Sequence, residues 1–456
     1  MVHTFECLGR RFAIDSESGS VFETDDITEK LLESPNARLG DFSDFPFGQK
    51  AAEYGVSEAN LRDAAAELTE LYKAGILFRP QPEYAEPVYH GIIKAMCLNV
   101  SHCCNLRCEY CFADGGTYNT AAMNMPPETA IKAIDFLIKK SGNRRNLEVD
   151  FFGGEPLLNM ETVRKTVAYA RRVEKEAGKS FRFTITTNAY ALDSATSEYL
   201  NSVMYNVVLS IDGRKRVHDE VRKTASGGVS FDRSLANALR FRQIRGDGQY
   251  YVRGTYTALN KDFCADVAAL NDYGFDQISV EPVVLPEDNR LALKEEDVPF
   301  LEKEYEKLAA MYLERRKTDK WFNFFHFMLD LDDGPCEAKR MSGCGAGNEY
   351  VAVNPNGDIY PCHQFDGDES FKMGSVLDGS FNTDIAEYFA KNNLTKKPDC
   401  LNCWAKYYCS GGCAANAIRY GGGIDKPNAV SCALMKKRIE CAVAVAAIEK
   451  QNKMNN

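Results

Sequence analysis

The sequence predicts an α/β protein: a partial (β/α)6 barrel of the TIM type, preceded by a small separate domain and followed by a cysteine-rich tail. Three observations carry this. Between residues 95 and 283, strand-like and helix-like segments alternate six times, which implies a parallel sheet with helices outside. Ahead of them, short alternating segments end at a proline-bearing linker, Pro80 to Pro87. Behind them, cysteines cluster strongly. The expected units are residues 1–85, 90–320 and 330–456.

Bulk properties narrow the class. The chain has 456 residues, enough for two or three domains, with 45% hydrophobic and 26% charged residues, as in ordinary globular proteins. A net charge of -10 and a pI of about 5.4 leave no broad basic field to hold phosphates, so no nucleic-acid partner is expected. The N-terminus lacks an apolar signal region, and no run approaches the ~18 apolar residues of a membrane span. A cytoplasmic protein with no membrane partner is expected. In a reducing compartment sixteen cysteines are not disulfides, and their clusters read as metal or iron–sulfur ligation. Cys7, Cys97, Cys264 and Cys441 lie among apolar residues and read as buried small hydrophobes. Cys103 stays ambiguous.

In chain order, Thr4 to Leu8, Arg11 to Asp15 and Val21 to Glu23 read as a small antiparallel sheet. Helices follow at Ile27 to Glu33 and from an N-capping Ser57 to Lys73, where Leu61, Ala65, Leu68, Leu71 and Tyr72 share one face. Ile76-Leu77-Phe78 reads as a closing strand. Barrel strands are expected near 95–100, 148–152, 181–187, 207–211, 251–257 and 277–283. The helices between them are expected at 127–139, 160–177, 194–200, 231–245 and 263–273. A charged helix, 298–320, leads out of the barrel, and Cys441 to Ile448 reads as the buried face of a terminal helix.

Polar motifs fall at the C-terminal ends of the strands, where active sites of such barrels gather. After the first strand, Cys104, Cys108 and Cys111 stand at C-x3-C-x2-C spacing, suited to wrapping one loop around an inorganic cluster. Three thiolates leave one iron of a cubane open. After the second comes Gly153-Gly154-Glu155-Pro156, where glycines admit a ligand to the backbone and Glu155 can accept from an ammonium; a tight turn is the competing reading. Thr186-Thr187-Asn188 follows the third strand. Ser210-Ile211-Asp212-Gly213 follows the fourth, with His218, Asp219 and Arg222 beyond. Hydroxyl and amide groups suit a ribose, and the arginine fork suits a carboxylate.

With Tyr110 before its last cysteine, the loop resembles the signature of the radical S-adenosylmethionine (SAM) superfamily; a zinc loop is the alternative. The resemblance implies a SAM-binding 4Fe-4S cluster on Cys104, Cys108 and Cys111. It also implies cofactor contacts from Tyr110, from Gly153, Gly154, Glu155 and Pro156 through the ammonium, and from Thr187, Asn188, Ser210 and Arg222. Asp212, His218 and Asp219 are expected only to shape the turn.

In the tail, Cys344, Gly357-x4-Cys362, Cys400-x2-Cys403-x5-Cys409-x3-Cys413 and Cys432 resemble the seven-cysteine SPASM pattern. That family's wiring implies two auxiliary 4Fe-4S clusters, three clusters in all. It assigns Cys344, Cys362 and Cys413 to the first auxiliary cluster, and Cys400, Cys403, Cys409 and Cys432 to the second. Cys336 is a candidate eighth ligand. Without it, the first auxiliary cluster keeps an open iron for a substrate thiolate.

The front domain resembles the winged-helix-like recognition element of enzymes that modify ribosomally made peptides, in which a leader peptide adds as a strand to a sheet edge; a structural cap is the other reading. Together the three parts resemble thioether-forming maturases of the sactipeptide and ranthipeptide type, most of all those of six-cysteine SCIFF peptides. This implies a Cys-rich precursor peptide with a leader and an external low-potential reductant as partners. An anaerobic sulfatase-maturing, formylglycine-generating enzyme is the alternative, and a zinc scaffold or an electron-transfer protein is the alternative of another class.

Overall fold

The computed structural model describes residues 1–329, 331 and 340–454. The front domain opens with the antiparallel strands β1 (Val2–Cys7), β2 (Arg10–Asp15) and β3 (Val21–Thr24). A two-residue turn joins the first two, with Leu8 and Gly9 both at positive φ as a tight hairpin requires. The helix Glu58–Lys73 is capped by Ser57, whose Oγ accepts from Asn60 N at 3.1 Å. Its buried Leu61, Ala65 and Leu68 form a local core with Leu31, Phe42, Phe45 and Phe47. Two short helices, Pro35–Leu39 and Phe47–Tyr54, were not expected.

The closing strand expected at Ile76 to Phe78 does not form. Gly75 turns the chain at φ 68°, Ile76 N and Leu77 N both return to Leu71 O, and Phe78 is itself left-handed at φ 52°. Burial of Leu77 in the local core anchors this segment in place of strand pairing.

The six expected barrel strands are present: β4 (Ala95–Ser101), β6 (Asn146–Gly153), β7 (Ser180–Thr187), β8 (Asn206–Ser210), β10 (Tyr250–Tyr256) and β11 (Gln277–Pro282). All pair in parallel, in the order β11-β10-β8-β7-β6-β4. Burial alternates along β6, where Leu147, Val149 and Phe151 are fully buried while Asp150 and Phe152 are not, whereas β4 is buried along its whole length. The helices Pro127–Lys140, Met160–Val173, Ser194–Val203, Phe231–Arg245 and Cys264–Asp272 lie in the expected places.

The sheet continues past the barrel. A short β12 (Asn323–Phe324) extends one side, and the tail extends the other with β13 (Tyr350–Val353), β14 (Asp358–Tyr360), β15 (Gly374–Ser375) and β16 (Ser380–Phe381). β13 pairs with β4 in parallel, Tyr350 opposite Ala95, so barrel and tail share one eleven-stranded sheet. A separate antiparallel ribbon joins β5 (Leu106–Cys108) to β9 (Arg222–Thr224).

The helix Val298–Arg315 buries Leu301, Tyr305, Leu308 and Tyr312. The terminal helix, Ala429–Met454, packs along it and reaches the front domain, where His3 Nε2 lies 2.9 Å from Glu440 Oε1 and Cys7 Sγ 3.8 Å from Cys441 Sγ.

Candidate active site at the carboxyl ends of the barrel strands

The cysteine loop leaves β4 and is zipped to the segment after β6. Gly154 N donates to Ser101 O at 2.7 Å and Glu155 N to Cys103 O at 2.9 Å. The approach is too close for any side chain: a Cβ on Gly154 would lie 2.3 Å from Cys103 O, and one on Gly153, at φ 127°, 2.4 Å from Ser101 O. Cys104 Sγ accepts from Leu106 N at 3.3 Å. Burial pushes the Cys104 thiol up to about 12 and the Cys108 thiol to about 11, with mutual repulsion among Cys104, Cys108 and Cys111 contributing. Such thiols stay protonated without a metal, and metal ligation is what turns them into thiolates. A soft-donor set of three on one loop fits an iron–sulfur cluster.

Glu155 is 1% exposed, and its carboxylate accepts from Leu157 N (3.1 Å), Thr187 Oγ1 (2.7 Å) and Asn188 N (2.8 Å). Burial raises its pKa to about 7 despite those bonds. No cationic side chain pairs with it among the described residues, so the site fits a ligand ammonium. Thr187 and Asn188 come to the expected place, but their donors are spent within the protein: Thr187 Oγ1 on Glu155, and Asn188 Nδ2 on Asn105 Oδ1 at 2.8 Å.

The ribbon of β5 and β9 sets Cys108 directly opposite Arg222. Arg222 Nε and Nη2 grip Asp212 at 2.9 and 3.1 Å, while Nη1 lies 3.8 Å from Cys108 Sγ. Tyr110 donates its hydroxyl to the same Asp212 at 2.7 Å, and Thr255 N adds a bond at 3.0 Å. Asp212 therefore does more than shape a turn: it is the buried anchor of both Tyr110 and Arg222, and the arginine holds its carboxyl below the usual range. Ser210 ends the neighbouring strand. His218 and Asp219 do shape the turn, through His218 Nε2 to Ser230 Oγ (3.0 Å) and Asp219 Oδ1 accepting from Phe231 N (2.9 Å).

The tail brings its cysteines to two places. Cys400, Cys403, Cys409 and Cys432 line one cavity of about 80 Å³ with Lys406 and Lys436, although Cys432 comes from the terminal helix. Cys344, Cys362 and Cys413 lie within electrostatic reach of one another, and burial pushes Cys362 up to about 12. Both donor sets fit iron–sulfur clusters. Cys336 lies outside the described residues.

Two links between the radical-type loop and the tail escaped the sequence reading. His363, beside Cys362, stacks on Phe152 (centroids 4.9 Å) and lies 5.1 Å from Phe112, beside Cys111. His102 Nε2 lies 2.8 Å from Asp366 Oδ2, and that carboxylate also accepts from Asn99 Nδ2 (2.6 Å) and Asn354 Nδ2 (3.1 Å), all buried. Only Phe112 and His363 carried a sequence signal, each following a candidate ligand cysteine; Phe152, His102 and Asp366 carried none.

Comparison with known proteins agrees with this geometry. The Radical SAM superfamily model matches residues 98–263, and that of the SPASM iron-sulfur cluster-binding domain matches residues 344–404. Radical SAM cyclopropyl synthase TigE of Paramaledivibacter caminithermalis is 24% identical over 75% of this chain and 72% of its own length. The cysteine-type anaerobic sulfatase-maturating enzyme of Clostridium novyi is 24% identical over 69% and 85%. Streptococcus suis SuiB bound to S-adenosylmethionine shares the fold at TM-score 0.52 and 19% identity, over 94% of this chain and 98% of that one. The chain combines a partial barrel of the radical SAM fold, matched over residues 98–263, with a SPASM iron-sulfur cluster-binding domain, matched over residues 344–404, and those domains imply SAM and 4Fe-4S clusters as cofactors.

Proposed function

We propose that this chain is a peptide maturase that forms thioether cross-links between cysteine sulfur and carbon in a ribosomally made, Cys-rich precursor peptide. The observation that supports it most is the pairing of two three-thiol sets, Cys104/Cys108/Cys111 and Cys344/Cys362/Cys413, bridged by the Phe112, Phe152 and His363 rings. A three-thiol set leaves a fourth ligand position free: on the first for the cofactor, on the second for a substrate thiolate.

When bound, SAM on the reduced cluster supplies a 5'-deoxyadenosyl radical that takes a hydrogen atom from unactivated carbon. The chain's own groups bind and orient. Glu155 receives the cofactor's ammonium, Ser210 lies within the ribose-binding edge, and Arg222, braced by Asp212, offers its remaining nitrogen to the carboxylate. Tyr110, Gly153, Gly154, Pro156, Thr187 and Asn188 shape that pocket. Residues 1–85 serve as a winged-helix-like leader-recognition element, 90–320 as the barrel and 330–456 as the cluster-bearing tail. The second auxiliary set, Cys400, Cys403, Cys409 and Cys432, which lines one cavity, would hold the second auxiliary cluster.

The test is an anaerobic incubation of the iron-reconstituted protein with SAM, reductant and a cysteine-rich precursor, read by mass spectrometry. Loss of two hydrogens and one alkylatable thiol, with matching 5'-deoxyadenosine, is the expected outcome. The likeness to the Clostridium novyi enzyme favours a second reading, formylglycine formation in a sulfatase-derived peptide. Conversion of that peptide's cysteine in place of cross-linking would establish it.

A further inference from the structure

Lys397 is the most anomalous charge in the tail. Its side chain is fully buried, it pairs with no carboxylate among the described residues, and its Nζ makes a single hydrogen bond, to Gly411 O at 2.8 Å. An ammonium has three donors, and a buried one with a lone neutral acceptor is costly. The position is specific. Gly411 lies between Cys409, assigned to the second auxiliary set, and Cys413, assigned to the first. Lys397 O accepts from Cys400 N at 3.0 Å, so the same residue caps the turn that carries another ligand of the second set. Even a Cβ on Gly411 would lie 3.4 Å from the lysine Cδ, so bare backbone packs against this side chain. Burial lowers the pKa of Lys397, and the charges that oppose that effect are those of Cys400, Cys409 and Cys413, ahead of Asp425.

Among the described residues, then, the ammonium has no paired anion until the tail cysteines become thiolates of bound clusters. We propose that Lys397 is the shared counter-ion of the two auxiliary clusters, its two remaining N–H groups directed to cluster sulfur and its charge raising both reduction potentials. This rests on the reading of the tail cysteines as two cluster sites. A positive charge and N–H donors beside a cluster favour its reduced, more negative form, and one charge placed between two clusters biases both together. The step concerned is the entry of one electron from an added reductant, with no atom transferred.

The experiment uses the full-length reconstituted chain in a Cys104→Ala/Cys108→Ala/Cys111→Ala background, so that only the auxiliary clusters are seen. Iron and sulfide content of that background tests the cluster reading by itself: without about eight iron per chain, that reading fails before Lys397 is touched. Dithionite-poised titrations followed by electron paramagnetic resonance then compare Lys397→Met with Lys397→Arg. Lys397→Met should make reduction at least tenfold less favourable, about 59 mV for one electron, with Lys397→Arg close to the parent. Iron lost from Lys397→Met but kept by Lys397→Arg supports the counter-ion in the same way. Unchanged potentials with full iron in Lys397→Met overturn it. Equal loss of iron from both variants also overturns it, because the site would then need the shape of the side chain and not its charge.

Discussion

Asp366→Ala tests whether the buried polar junction ties the cysteine loop to the tail. The carboxylate is fully buried and serves three side chains: Asn99 Nδ2 at 2.6 Å, His102 Nε2 at 2.8 Å and Asn354 Nδ2 at 3.1 Å. Truncation leaves these partners in a cavity. Each buried polar group left unpaired costs roughly 1–3 kcal/mol, and the truncation leaves three of them. A loss of about 3 kcal/mol or more is therefore expected at this junction. A multidomain chain gives no single unfolding free energy, so the assay is native-state hydrogen exchange read by mass spectrometry. A loss of that size means amides of 97–103 and 351–366 exchange about a hundredfold faster, while those of 250–256 keep their rates. Acceleration below about threefold, worth roughly 0.7 kcal/mol, would refute the argument that this carboxylate holds loop and tail together.

Other outcomes follow from single contacts. Gly154→Ala places a methyl 2.3 Å from Cys103 O and should unseat the cysteine loop; an iron assay should show about four fewer iron per chain than the parent, one 4Fe-4S cluster. Glu155→Gln removes the charge of a buried carboxylate that has no cationic partner among the described residues, and equilibrium dialysis should show SAM binding about 10–100-fold weaker, as for loss of a charged hydrogen bond of about 1.5–3 kcal/mol. His326, bonded to Ser279 Oγ at 3.0 Å, has its pKa lowered by burial to about 3. A depressed histidine stabilises the fold fully above its unfolded value near 6.5, and the contribution is lost as pH falls from there toward 3. At pH 5 the loss is about 2 kcal/mol, and His326→Gln should flatten the pH dependence of hydrogen-exchange protection in the strand Gln277–Pro282 that carries Ser279, once intrinsic exchange is corrected for.

Local signals made most of the architecture legible. The parallel strands stood out as short apolar segments separated by helical ones, alternating in burial in β6, as Leu147, Val149 and Phe151 show, and buried throughout in β4. The candidate ligand cysteines stood out because they cluster along the chain, as Cys104 to Cys111 and Cys400 to Cys413 do. What failed depended on distance or on very short elements. Ile76 to Phe78 has strand-like composition, but Gly75 and a left-handed Phe78 decide its path. The ribbon that sets Cys108 against Arg222 is three residues long on each side and hides inside the motifs themselves. Asp212 could be placed beside Arg222 only by the fold, and its carboxylate now explains both the arginine and Tyr110. No local pattern announces that β13 pairs with a strand some 250 residues earlier, Tyr350 opposite Ala95.

That pairing has a cost during biosynthesis. Until the ribosome has delivered residues 350–353, one edge of β4 stays bare, a row of unpaired amides and carbonyls next to the nascent cysteine loop. A contact closing so late in the chain is slow to form and leaves the partial product prone to self-association. Metal insertion on Cys104 to Cys111 before the tail emerges would load a loop whose junction with Asp366 does not yet exist. Expression yield should therefore depend on translation reaching the tail before iron–sulfur assembly begins, and chains truncated before residue 350 should aggregate through the bare β4 edge.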